Sequence, residues 1–320
     1  MVLSPATTAI LFTLAYADQF DYPLTELELW SRLISVDKKS ISQAEFDRSL
    51  QQLIKNNTLL HIHEFFLFSG REGIVLKRQR RTLVAQQKWQ QIQLLKRVTP
   101  FLAGISAIFI TGSLAMNNTN QDDDIDIFIV TKIDRLWLCR LELLFFTWII
   151  GQKKKRVEEG KHGWCLNLWL DEEHLAVEEG KRDLYRAYEV VQAKLLWGTT
   201  QIADRFYTAN SWVKEYLPKN IQHHATSLSS ENDSVGFTFI DQLEHLAFRF
   251  QLRYMKSHQT TEKVGPGFAF FHPRQTDALI REGWLKSVSR IKNMPGLDTI
   301  AKQHAKHFFA SPATTLSQSP

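Results

Sequence analysis

Apolar residues recur along the chain with two different periods, and the switches between them mark its elements. Residues 5–20 carry Ala9, Ile10, Phe12, Leu14 and Tyr16 in one helix, which Asp21-Tyr22-Pro23 ends because proline cannot continue the backbone ladder. Thr25-x-x-Glu28 and Ser42-x-x-Glu45 each have the form of a capping box. The first opens a helix with Leu27, Trp30 and Leu33, and the second one with Phe46, Leu50, Leu53 and Ile54 on a single stripe. Leu59–His63 and Phe65–Phe68 then form a small hairpin, and Lys77–Val98 reads as one long helix that Pro100 stops. A short helical turn around Phe101–Gly104 follows. There the period changes to two. Ile108–Ile110 predicts a strand, Ile125, Ile127 and Ile129 alternate in a second, and Trp164–Leu170 forms a third. On that third strand, alternation puts Leu166, Leu168 and Leu170 on one face and Cys165, Asn167 and Trp169 on the other, with Asp171 sharing the latter. Asp134–Ile150 supplies the crossover helix, too short and too often interrupted by charge to span a bilayer. From Lys181 the pattern turns helical: Leu184, Tyr188, Val191 and Leu195 make a stripe, and further helices are expected around 206–217, 237–257 and 279–288.

The apolar pattern breaks most sharply between Ile108 and Val130, and the break carries the candidate chemistry. Thr111-Gly112-Ser113 turns the chain, an Asn- and Asp-rich loop follows, and Asp124-Ile125-Asp126 opens the next strand. Residues two apart on a strand share a face, so Asp124 and Asp126 point together while Ile125, Ile127 and Ile129 point away. Two carboxylates forced onto one face call for a cation, and oxygen-only ligands suit Mg²⁺ or Mn²⁺. Gly112 allows close approach to a phosphate, and Ser113 adds a hydroxyl donor.

Gly112-Ser113, a gap, and then Asp124-x-Asp126 within an apolar strand resembles the DNA polymerase β-like nucleotidyltransferase superfamily, most of all its minimal members with GSxAxG and SDIDL. Gly112, Ser113, Ala115, Asp124, Ile125 and Asp126 fall on motif positions. Asn117 stands where the second glycine is common, and Asp123 where the serine is. The resemblance implies Mg²⁺-dependent transfer of a nucleoside monophosphate from a nucleoside triphosphate to a hydroxyl acceptor. Asp124 and Asp126 would be the metal-binding and catalytic carboxylates, and Gly112 and Ser113 would hold the nucleotide phosphates. The third carboxylate of active relatives falls by pattern on Asn167, an amide that can contact nucleotide but cannot act as a base. The alternative is therefore a catalytically degraded nucleotide-binding or regulatory protein, antitoxin-like or winged-helix DNA-binding.

Composition changes this picture only at its edges. The chain of 320 residues has room for two or three domains, with 44% hydrophobic and 23% charged residues, as in folded proteins generally. The expected fold is α/β (α+β). A winged-helix-like domain (1–75), a connector helix (76–100), a mixed-sheet nucleotidyltransferase core (101–176) and a helical C-terminal domain (177–320) follow in order, with a flexible loop near 221–236. A net charge of +5 suits a polyanionic partner. The expected partners are a nucleoside triphosphate and an acceptor that is a small molecule, a protein or RNA. The third helix balances Glu45 and Asp47 against Arg48 and Lys55, which argues for docking rather than specific DNA reading. The basic cluster Lys77, Arg78, Arg80 and Arg81 reads as a solvated helix face. Cys139 and Cys165, both in apolar runs, read as free thiols of a cytoplasmic protein, and no membrane partner is expected. Ala9–Ala17 imitates a signal-peptide core but lacks a preceding Lys or Arg, so export is not expected.

Overall fold

In the computed structural model, which describes residues 3–102, 104–150, 163–220, 239–256, 263–271, 276–292 and 294–309, both capping boxes close. Ser4 caps α1 (Pro5–Asp18). A two-residue strand β1 (Leu24–Thr25) leads into α2 (Glu26–Ser31), then α3 (Gln43–Lys55), β2 (Leu59–Ile62) and β3 (Phe65–Phe68). The three strands form a small sheet in the order β1-β3-β2. The stripe read on α3 is the packed one, with Phe46, Leu50 and Leu53 buried. Ala9–Ala17, the segment that imitates a signal sequence, is a buried helix in the main hydrophobic core.

The connector α4 (Gly73–Val98) is fixed to this first module by Lys77, Arg78 and Arg81 of the basic cluster, while Arg80 stays on the solvent side. Lys77 pairs with Asp21 at 2.8 Å, and Arg78 forks onto Glu28 at 2.8 and 2.9 Å while lying over the rings of Tyr22 and Phe65. Burial pushes the Glu28 carboxyl up, but the Arg78 hydrogen bonds, the Arg32 and Arg78 charges and the Thr25 amide outweigh it and hold the group at about 2. A carboxyl whose folded pKa lies below its unfolded value of 4.5 stabilises the fold above pH 4.5, and that stability fades as pH falls toward 2. Glu28→Gln is therefore expected to cost about 2–3 kcal/mol at neutral pH and nearly nothing near pH 2. Urea titrations of both proteins across that range would show the gap closing, and a pH-independent gap would deny the linkage.

A six-stranded mixed sheet follows, in the order β7-β4-β5-β6-β9-β8. Its members are β4 (Ile105–Ile110), β5 (Ile125–Thr131), β6 (Trp164–Asp171), β7 (Lys194–Gly198), β8 (Lys263–Gly265) and β9 (Phe268–Phe270). Between β4 and β5 lies the single turn α5 (Gly112–Ala115). β5 and β6 are parallel, joined through α6 (Leu136–Ile149), and the other pairs are antiparallel. The remaining helices are α7 (Leu184–Gln192), α8 (Thr200–Ala209), α9 (Phe239–Lys256), α10 (Thr276–Ser289) and α11 (Leu297–Phe308). The chain is thus a mixed α+β protein, and its C-terminal part is not purely helical. Ala193 leaves α7 with extended ψ of 128°, and Lys194–Gly198 pairs with β4 instead of prolonging the helix. Leu195 fits both a period of 3.6 and one of two, so the stripe alone could not end the helix.

One sheet face, with Phe109, Phe128, Val130 and Leu170, packs into the core that contains α1, α7, α8, α10 and α11. The other, with Ile108, Ile110, Ile127, Ile129 and Trp169, packs against residues of α4, α6 and α9. Neither cysteine is in a disulfide; Cys139 is buried and Cys165 half-buried. The flexible loop expected near 221–236 lies outside the described residues.

Candidate active site

The antiparallel pairing of β4 with β5, which sets Ile110 opposite Ile127, brings the Gly112 turn against the start of the aspartate strand. The Thr111 N–H donates to the Asp126 carbonyl at 3.1 Å. Gly112 has φ of +61°, and a Cβ there would collide with Asp126 Oδ2. Two constraints, conformation and space, therefore require glycine. Asn117 ends the turn with φ of +53° and is anchored by Trp89 Nε1, which donates to Asn117 Oδ1 at 3.0 Å. Asparagine tolerates the left-handed region better than other side chains, which explains how it stands where the resemblance expects glycine. Ser113, half-buried, accepts the Asn118 amide on its carbonyl at 2.8 Å.

The loop between the motif halves is built around Lys88, a residue of α4 that the sequence pattern did not single out. Its buried ammonium donates to Thr119 Oγ1 at 3.0 Å and to the carbonyls of Asn120 and Asp123 at 2.5 Å each. Burial lowers its pKa, while Asp123, Asp124, Asp122 and Asp126 pull it back upward. Asp123 accepts the Asn120 N–H at 2.7 Å and so closes the loop, a turn-fixing task within reach of any short oxygen-bearing side chain. Arg81 reaches Asn118 and Asn120, and both Arg81 and Asn118 donate to the Phe20 carbonyl at the exit of α1. The first module thus touches the loop directly.

Asp124 sits immediately before β5, its Oδ1 accepting the Gly163 N–H at 3.1 Å. Asp126 Oδ1 accepts from Asn167 Nδ2 at 2.6 Å. Asn167 therefore does face Asp126, but the simple alternation of β6 fails just beyond it. Ile127 pairs with Leu166 and Phe128 with Leu168, leaving Asn167 as an extra residue at a bulge. Leu166 consequently packs with the α4 and α6 side, Leu168 and Leu170 with the opposite core, and Trp169 turns away from Asn167. The expected face-sharing of Asn167 with Asp171 is corrected as well. Asp171 pairs in register with Thr131 and bonds the Glu173 and His174 amides and His174 Nδ1, away from Asp126.

A third acid reaches the site from a helix. Asp183 caps α7 by accepting the Arg186 amide at 2.7 Å, and Leu184, Ala187, Tyr188 and Val190 bury one side of the helix. α7 packs against the α5 turn, and Glu189 lies within electrostatic reach of Asp126. Burial pushes the Glu189 carboxyl up, the Asp126 charge pushes it further, and Arg186 opposes both, leaving it at about 7. Its signal in the sequence was an acid interrupting the apolar run Ala187-Tyr188-Glu189-Val190-Val191, on a stripe read only for its packing.

Asp124 and Asp126 are hard oxygen donors of the kind that suit Mg²⁺, and the Asp126 charge adds to the burial that raises Glu189. Among the described residues, no group of three or more His, Cys, Asp or Glu is spaced to hold a metal. A cavity of about 510 Å³ lies between Asp37, Glu215 and His304, apart from these residues. Another, of about 230 Å³, flanks the loop on the Lys88 and Trp164 side. No protein-family model matches the chain, and no curated protein or solved structure does either.

Proposed function

We propose that this chain is a nucleotidyltransferase of the polymerase β-like type, with residues 101–176 as its catalytic core, the first 75 residues as a winged-helix-like module, and the C-terminal part closing one side. The carrying observation is the turn at Gly112 seated directly on the Asp126 carboxylate, with the left-handed Asn117 completing it. Asp124 and Asp126 would hold Mg²⁺, which supplies charge neutralisation on the reacting phosphate. Gly112 and Ser113 receive the triphosphate, and the Asn167 amide fixes the rotamer of Asp126. Glu189, a buried carboxyl within electrostatic reach of Asp126, would take the proton of the acceptor hydroxyl.

A second reading rests on one contact. Asn167 donates to Asp126 where a catalytic relative would place a carboxylate, as in a site that binds nucleotide without turnover. Both readings require metal-dependent nucleotide binding. Nucleotide at ~100 times its dissociation constant should add about 2.7 kcal/mol of stability, and only with Mg²⁺ or Mn²⁺ present. Asp124→Asn combined with Asp126→Asn should abolish that shift in a chain that still melts cooperatively. A double mutant that responds like the wild type would remove the site. Pyrophosphate release by the wild type then separates the enzyme from the sensor.

A further inference from the structure

Large apolar side chains are exposed at scattered positions on much of the surface, but α6 and α9 concentrate them. Leu246, Phe250 and Tyr254 recur at four-residue spacing on α9, and Phe145, Trp148 and Ile149 share the last turns of α6; all six are 60% exposed or more. The two helices form one unit. The Trp137 ring lies 5.0 Å from Phe248, the Glu244 carboxylate accepts the Trp137 and Leu138 amides at 2.7 and 2.8 Å, and Gln251 donates to the Trp137 carbonyl at 2.8 Å. Their inner faces, with Trp137, Leu143, Ala247 and Met255, already serve the core. One face of each helix therefore belongs to the core, and the outer rows stand exposed.

Charge decides what covers them. Both acids of α9 turn inward, Asp241 to Arg135 at 2.6 Å and Glu244 to the start of α6. Arg249 and Arg253 stand exposed between the apolar positions, and neither forms an ion pair among the described residues. A second copy seated on the same row would bring like charges together, because Arg249 lies near the middle of α9 and would approach its own twin. A nucleic acid would stack on the aromatics but has no use for Leu246 and Ile149. An anionic bilayer surface suits the two helices best: aliphatic and aromatic side chains enter the boundary of headgroups and acyl chains, and Arg249 and Arg253 meet lipid phosphates and outnumber the one exposed acid of α6, Glu142. We propose that the outer face of α6 and α9 docks this chain reversibly on anionic membranes. It lies in the interface rather than crossing it, since no described helix is long and apolar enough to span. None of these residues belongs to the aspartate site, so the inference stands apart from the nucleotide reading.

Vesicle sedimentation of the full chain tests it. Binding is expected to phosphatidylcholine vesicles containing phosphatidylglycerol, weakly or not at all to pure phosphatidylcholine, and to weaken with salt. Two basic residues at a membrane surface contribute about 1 kcal/mol each, so Arg249→Gln with Arg253→Gln should weaken partitioning about 30-fold. The lipid-induced blue shift of tryptophan emission should shrink in Trp148→Phe. The proposal is overturned by absent binding at low salt, by equal binding to both vesicle types, or by retention in the arginine double variant. It is equally overturned by a dimer in light scattering that Phe250→Ser dissolves, or by RNA binding that accounts for the arginines.

Discussion

Lys88→Ala is expected to destabilise the protein by about 3–5 kcal/mol, a large share of a typical folding free energy. The ammonium is buried and serves three acceptors at once, in a loop that gathers Asp122, Asp123, Asp124 and Asp126 within its field. Removing it leaves carbonyls without a donor and aspartates without a counter-charge, and both penalties fall on the loop that presents the metal ligands. Lys88→Met separates the causes, because it keeps a buried aliphatic stem of similar length and deletes only the charge. Most of the loss should persist in the methionine variant, together with loss of the Mg²⁺-dependent nucleotide shift. A methionine variant as stable as the wild type in urea would mean that the loop does not need the ammonium.

Glu189→Gln should have opposite effects on stability and turnover. An acid whose folded pKa of about 7 exceeds its unfolded 4.5 favours folding when protonated, so its contribution is fully present below pH 4.5 and is lost as pH rises through 7. Glutamine mimics the protonated form, and the variant should therefore be more stable than the wild type by about 1–3 kcal/mol at pH 8. The two should converge at pH 4. The comparison belongs in chelator, since a cation on Asp126 would cancel the repulsion that raises Glu189. Turnover, by contrast, should fall roughly 10²- to 10⁴-fold if this carboxylate takes the acceptor's proton. Unchanged pyrophosphate release would remove Glu189 from the chemistry, and an unchanged pH profile of stability would deny that its carboxyl is raised by burial.

What the sequence made legible was local. The capping boxes and the Gly112 turn depend on residues a few positions apart, where a local pattern fixes direction. Lys88 and Glu189 were not legible as site residues, because helices far along the chain deliver them through packing that no local pattern encodes. The bulge at Asn167 was equally hidden: an inserted residue leaves the composition of a strand untouched while reversing every face beyond it. The short pairings of Lys263–Gly265 and Phe268–Phe270 carry too few residues to show a period at all.

The burial of α1 has a consequence for how the chain must be made. Trp284 Nε1 donates to the Phe12 carbonyl across 272 residues of sequence, and Ser287 donates to Asp18 across 269. Phe12 also meets the rings of Trp284 and Phe308. α1 therefore has two sets of partners made at very different times: α2, α3 and β3 lie close along the chain, whereas α10 and α11 follow only after the whole sheet. The face of α1 that carries Phe12 closes by long-range contact, the kind that slows folding and leaves apolar surface open in partly made chains.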